Sequence, residues 1–375
     1  MRLGLFLIAL LSMLSSALAI DIGYQPETRS RITFANGKSR TARDNARCIC
    51  ITSDGKAHMV WEDTRLGNFE IYYAWIGDSK VSPNIRISRS KDESSYPAIA
   101  CDSQDVYILW QEFTGRVFNL YYVHLRDSIE VARKQITRTH LDSSCPVATV
   151  GPDGSLHIAW HEGPYKQTAI YYGRIVADSL VEVKPISLEH PEAFRPDIAC
   201  DDSGRVLIVW FDGMEVKSKL WDGRTWGDED LVATNNSRPW RLSVISLSNG
   251  KWAAAWFDNV AGGSTVKVKF YDGKKWYGEE VVNSSVNGYY PSLVRIADGD
   301  FMIVWEEKDV ETGTYRIMLR RYRLGKWSQP LEVYREKLAG RYPSLAVQGD
   351  ELHMVYFSPV AGNDEIYHLL LRRKQ

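Results

Sequence analysis

A tryptophan closes the same short phrase every 46–50 residues through most of this 375-residue chain. It stands at Trp61, Trp110, Trp160, Trp210, Trp256 and Trp305, and Tyr356 takes its place in the last copy. The phrases leading to it, such as SDGKAHMVW, PDGSLHIAW and ADGDFMIVW, are apolar runs behind a turn. A period of this length means one supersecondary unit copied many times, each burying its apolar face only against its neighbours. That overrides the two or three separate domains that length alone suggests.

Each unit reads as four strands. A first strand follows a proline, as in YPAIACD, CPVATV, RPDIACD, YPSLVRI and YPSLAV. The second ends at the tryptophan. The third is an aromatic or basic run such as EIYYAWI, AIYYGRI or VKVKFY, and the fourth is short, as in NIRIS or RKQIT. These runs are β-branched and aromatic and are bounded by turn residues. No window sustains an apolar 3.6-residue period, so helix is not expected. Four strands per unit and seven units predict an all-β, seven-bladed β-propeller. The last unit stops after its third strand, while Arg31-Ile32-Thr33 near the N-terminus matches Arg86-Ile87-Ser88 of a fourth strand. The N-terminal segment is therefore expected to complete the last blade and close the ring, which removes an open sheet edge. The recurring tryptophans are read as core, each hiding roughly 150–250 Å².

Residues 1–19 carry a basic start, an apolar run and the small-residue ending Ala17-Leu18-Ala19, the pattern of a cleaved secretory signal. Residues 20–375 are then a single propeller domain, secreted or periplasmic. No other segment is apolar enough over sufficient length to span a bilayer, so membrane insertion is not expected. A net charge of −1 with 25% charged residues gives no basic face for nucleic acid. The cysteines Cys48, Cys50, Cys101, Cys145 and Cys200 all lie in the first half. Cys101 and Cys200 share one repeat position, and the set reads as buried packing thiols; it lacks zinc-site spacing. No metal or cofactor motif stands out. Asn235 and Asn283 fit glycosylation sequons.

The phrase P-x-I-A-C-D-x-x-G-x-V-x-I-V-W, followed by I-Y-Y, resembles the repeats of the sialidase-like β-propeller superfamily over the whole mature chain. The sialidase Asp-box is not intact. Asp222-Gly-Arg-Thr-Trp226 comes nearest with too short a spacing, and Phe194-Arg195-Pro196 stands in place of an early F/Y-R-I-P. The resemblance implies ligand binding over the central channel, at the loops entering the first strands and leaving the second. The residues just before those first strands are Ala46, Tyr96, Cys145, Arg195, Arg241, Tyr290 and Tyr342, with Arg47, Arg238, Tyr289 and Arg341 beside them. Arginine forks suit carboxylates and aromatic faces suit sugar rings. The expected ligand-binding set is Arg195, Arg241, Arg341, Tyr96, Tyr290 and Tyr342.

An acid recurs two residues after the tryptophan, at Asp63, Glu112, Glu162, Asp212, Asp258 and Glu307. Six-fold recurrence points to a scaffold acceptor, since glycoside cleavage needs one pair. His161 breaks the repeat beside Glu162, where other blades carry Glu, Gln or Phe. His161, Glu162 and Tyr342 are the catalytic candidates. The leading expectation is a recognition module for an acidic glycan or an exported protein. The alternatives are a glycosidase or polysaccharide lyase on acidic sugars, since some polysaccharide lyases are seven-bladed propellers, and a structural assembly protein. Convergence of the arginines on one point would favour a carboxylated ligand.

Overall fold

The computed structural model describes residues 20–78, 80–164, 166–187, 192–283, 287–334 and 340–374. Every regular element among them is a strand. The strands form seven antiparallel sheets arranged as the blades of a propeller. Blade three shows the plan: an inner strand Ser143–Val150, then Leu156–Glu162, Ala169–Val176 and an outer strand Ser179–Pro185.

Blade seven takes its first three strands from the C-terminus, Arg341–Gln348, Glu351–Ser358 and Glu365–Arg373. Its outer strand is Tyr24–Arg31 from the N-terminus. The match between Arg31-Ile32-Thr33 and Arg86-Ile87-Ser88 is chemical. Arg31 and Arg86 donate to Glu365 and Glu70 at 2.9 and 2.6 Å. Thr33 and Ser88 hydroxyls bond the same two carboxylates and accept from the amides of Ile366 and Ile71. The predicted closure is therefore made by the same corner that ends blade one.

The six repeating tryptophans are at most 1% exposed and Tyr356 is 2% exposed. In blades one to three and seven the ring stacks on the aromatic facing it from the third strand, as Trp160 does on Tyr171 at 5.7 Å. The recurring acid accepts the indole N–H in four blades: Trp61 to Asp63, Trp110 to Glu112, Trp160 to Glu162 and Trp305 to Glu307, at 3.0–3.2 Å. An indole must find an acceptor when buried, so the acid and the tryptophan recur as a pair. In blade five Asn235 accepts from Trp256 instead, at 2.9 Å.

That bond corrects the sequon reading. Asn235 is buried and its amide also donates to Met214 O, while Asn283 is buried and caps Val266 N, so both are corner residues turned inward. The cysteine reading also needs correction. Cys50 and Cys101 form a disulfide between the inner regions of blades one and two, and Cys48, Cys145 and Cys200 are free. Cys101 therefore differs from Cys200 because blade one supplies a partner that blade three does not. The expected signal at residues 1–19 lies outside the described residues.

Six inner strands carry the same bulge. In blade three, Ser144 pairs with His161 and Val147 with Ala159, so Cys145 and Pro146 together face Trp160. The equivalent shifts occur at Tyr96-Pro97, Arg195-Pro196, Arg241-Leu242, Tyr290-Pro291 and Tyr342-Pro343. The first residue of each pair has φ between 45° and 53°, the left-handed region that costs a non-glycine residue energy. A bulge re-aims a side chain; here it turns one residue per blade towards the channel. Proline at the second position loses no ladder bond there.

Blade one departs. Arg40 pairs with Glu62, and the ladder resumes only at Ile49. Residues 41–48 replace the two-residue bulge and enter the channel. Asn45 Nδ2 donates to Pro97 O at 3.0 Å and Pro146 O at 3.3 Å. Arg47 reaches Asp197 Oδ1 at 2.7 Å and Val244 O at 2.9 Å, in blades four and five. Ala46 O accepts from Ser292 and Ser344 in blades six and seven. One loop thus ties blade one to six others across the bore.

Candidate functional site

The αL residues of the bulges are held by their neighbours. In four blades the residue after the tryptophan accepts the amide of the next blade's bulge. Glu62 Oε1 accepts from Tyr96 N at 2.7 Å and Gln111 Oε1 from Cys145 N at 3.0 Å. His161 Nδ1 accepts from Arg195 N at 3.3 Å, and Glu306 Oε2 from Tyr342 N at 3.0 Å. In blades four and five Phe211 and Phe257 stand there and pack on the aromatics Phe194 and Tyr290. The alternation of Glu, Gln, His and Phe at this position is a choice between latching an amide and packing a ring.

This settles what His161 offers. Burial holds its pKa far down, to about 3, so the ring is neutral. With Nδ1 accepting, the neutral ring carries its proton on Nε2. His161 therefore keeps a donor N–H, and its basic lone pair is occupied by Arg195 N.

Three consecutive bulge residues, Tyr96, Cys145 and Arg195, line a cleft of about 430 Å³ at the mouth over blades two to five. Gln111 and His161 line it beside them, Phe118, Phe194 and Trp240 supply aromatic surface, and Lys166, Arg238, Asp142 and Glu192 add charge. The volume falls in the range of small-ligand sites, with mostly apolar lining and a few polar groups. Arg195 lies over the Trp240 ring at 4.1 Å, with Nη2 3.1 Å from the buried Asp44 Oδ2. Arg238 pairs with Glu192 at 2.5 Å. The Cys145 sulfur, which would be a thiolate at the high pH where a phenol ionises, and burial push the Tyr96 phenol well up, so it too is a neutral donor. Burial pushes the Cys145 thiol up to about 12, which leaves it unreactive.

A second cleft of about 430 Å³ lies over blades six, seven and one, lined by Arg40, Tyr315, Arg341, Tyr342, Phe357 and Asp364 among others. Arg341 donates to the fully buried Glu306 at 3.1 Å and lies over the Tyr315 ring at 4.1 Å. Tyr342 meets Tyr290 and Phe357 edge-on at 4.6 and 5.1 Å.

The expected arginine set does not converge. Arg195 belongs to the first cleft and Arg341 to the second. Arg241 is fully buried in the bore, where Nη2 donates to Pro343 O across the channel at 2.7 Å. Its Nε and Nη1 have no hydrogen-bond partner among the described residues, and burial lowers its pKa. It is an internal brace, because the same bulge that aims Arg195 at the cleft aims Arg241 beneath the loop of blade one. Tyr290 is buried and its hydroxyl accepts from Arg43 at 3.0 Å. Of the catalytic candidates, Glu162 faces the scaffold, accepting from Trp160 and from Ser143 Oγ at 2.7 Å. Tyr342 lines the second cleft, so His161, Glu162 and Tyr342 do not meet. Ala46, expected at the mouth, is buried under it.

Sequence reading missed Arg43, Asp44 and Trp240. Arg43 is exposed over the mouth, and among the described residues no carboxylate pairs with it. The signal was the failure of residues 41–48 to match the repeat. Among the described residues no three His, Cys, Asp or Glu side chains gather into a metal-ligand set.

No family model matches the chain, and no curated protein does. Solved structures do. A polysaccharide lyase of family PL25, an ulvan lyase bound to -[GlcA(1-4)Rha3S]-, superposes with a TM-score of 0.67 at 10% identity, over 92% of this chain and 96% of its own. The endosialidase of phage phi92 gives 0.55 at 9% identity, over 94% and 70%. A fungal alcohol oxidase of the AA5 family, in complex with copper, gives 0.59 at 8% identity, over 94% and 76%. The chain shares the propeller fold of sialidases and propeller lyases. At such identities the likeness concerns the fold, since one scaffold hosts three chemistries.

Proposed function

We propose that this protein is an exported recognition module that binds an acidic glycan in the cleft over blades two to five. The observation that carries the reading is Arg195. A bulge aims it at a cleft of ligand size, its guanidinium lies over Trp240, and two neutral donors, Tyr96 and His161, line the cleft beside it. A guanidinium fork, hydrogen-bond donors and aromatic faces together match a carboxylated sugar. The fold's occurrence in sialidases and propeller lyases supports a glycan-related role.

Recognition is favoured over turnover by the proton inventory. Abstraction from a uronic acid needs a base with a free lone pair near its working pH. His161 spends its lone pair on Arg195 N, and Tyr96 is held protonated. Export rests on the N-terminal signal pattern alone. The test is an array of sialylated and uronic-acid glycans with neutral counterparts, probed with the mature chain and with Arg195→Ala. Acid-selective binding lost in the variant supports the reading. Binding of neutral and acidic glycans alike, or cleavage of the bound glycan, overturns it.

A further inference from the structure

A run of guanidinium and aromatic groups lies between the two clefts. Arg195 lies 4.1 Å from the Trp240 ring centroid, and Arg43 lies 5.1 Å from the same ring. Arg43 also lies 5.8 Å from Tyr290, whose ring meets Tyr342 at 4.6 Å. Arg341 is 5.0 Å from Tyr342. Guanidinium and aromatic groups thus follow one another from Arg195 to Arg341, each step within cation–π or ring-contact distance. The two ends are charge-compensated, Arg195 by Asp44 and Arg341 by Glu306. The centre is compensated less directly: Arg43 is exposed and hydrogen-bonded to a neutral phenol, and although the Asp44 carboxylate acts on its charge, it makes no ion pair among the described residues. An exposed cation between two rings, with no ion pair of its own among the described residues, is a handle for an anionic chain passing over the channel.

Resting on the reading of the first cleft as an acidic-glycan site, we propose that the ligand is a linear anionic polysaccharide laid across the whole mouth. Its successive units occupy the first cleft, the Arg43 platform and the second cleft. Carboxylate and sulfate groups share the chemistry that Arg43 recognises, so both sources enter the test.

The experiment is calorimetric titration of the mature chain with oligogalacturonates of two, four and six units, sulfated oligosaccharides of the same lengths, and neutral cello-oligosaccharides. Linking subsites multiplies affinity, so the hexamer is expected to bind roughly tenfold or more tighter than the dimer. Arg43→Ala is expected to remove most of that gain while changing dimer affinity by at most about twofold, and Arg43→Lys to restore part of it. Arg43 is exposed, so an unchanged melting profile will show that the variants fold. A gain only with carboxylated chains, or only with sulfated ones, assigns the anion. If the dimer binds with dependence on Arg195 but the hexamer gains nothing, or Arg43→Ala leaves the gain intact, the track is wrong while the first cleft stands. If no length binds, both readings fall. A single-stranded oligonucleotide of similar length binding as tightly would also overturn the glycan assignment, since stacked bases suit such a track too.

Discussion

Replacing Arg47 with Met should loosen the whole ring. Arg47 Nε and Nη2 meet the two Asp197 oxygens at 2.7 and 3.2 Å, and Asp197 also accepts from Val244 N at 2.7 Å. The Asp197 side chain is 3% exposed and that of Arg47 is 23% exposed. Breaking a fully buried pair costs about 3–5 kcal/mol, because the remaining charge is left uncompensated. Arg47 also borders a cavity of about 190 Å³ in the bore, so solvent reduces the expected loss to about 2–4 kcal/mol. Unfolding entropy near 2.1 cal/mol/K per residue gives about 0.8 kcal/mol/K for a chain this long, and hence a Tm lower by about 3–5 °C. Urea titration of Arg47→Met, Asp197→Asn and the double variant reads the coupling directly. The double variant should be less destabilised than the two single losses added together. A loss below about 1 kcal/mol for Arg47→Met, with strict additivity in the cycle, would refute the cross-channel staple.

Two further outcomes follow from the latches. His161→Gln should keep stability close to that of the parent, because Gln111 already latches Cys145 in the next blade, whereas His161→Phe should cost about 1–3 kcal/mol by leaving the Arg195 amide unpaired; equal melting of the two variants would contradict the latch. Burial raises the Glu62 pKa to about 7. This sign is opposite to that of a salt-bridged acid: between roughly pH 4.3 and 7 the folded state holds a proton that the unfolded chain has released, so Glu62 takes stability away as pH rises through that window. Glu62→Gln should therefore match the parent near pH 4 and exceed it near pH 8 in thermal melts, and the same difference at both pH values would contradict the assignment.

The scaffold was legible because it is local and repeated. The tryptophan and the acid two residues on do one job in most blades, and the Arg-Ile-Thr/Ser corner does one job in blades one and seven, so repetition alone exposes them. The place of the bulge was also legible, before the proline in five of the six inner strands that carry it, although its left-handed backbone has no sequence code beyond that proline. Which of the bulge residues share a cleft was not legible. Arg195, Arg241 and Arg341 hold equivalent repeat positions but different radial neighbourhoods, and the neighbourhood is set by the loop at residues 41–48. That loop buries Arg241, supplies Asp44 to Arg195 and lifts Arg43 onto Trp240 and Tyr290. It is the one bulge the repeat does not contain, so a search for periodicity passes over it. His161 illustrates the converse: it broke the pattern by residue type while keeping the job of Glu62 and Gln111.

The most direct test of the central claim is calorimetric titration of a digalacturonate into the mature chain, Arg195→Ala and Arg341→Ala. Loss of a charge-assisted hydrogen bond is worth about 1.5–3 kcal/mol, so Arg195→Ala should weaken binding roughly tenfold or more, while Arg341→Ala, in the other cleft, should leave it near the parent value. Parent-like binding by Arg195→Ala, or loss of binding in Arg341→Ala alone, would place the sugar elsewhere and contradict the account.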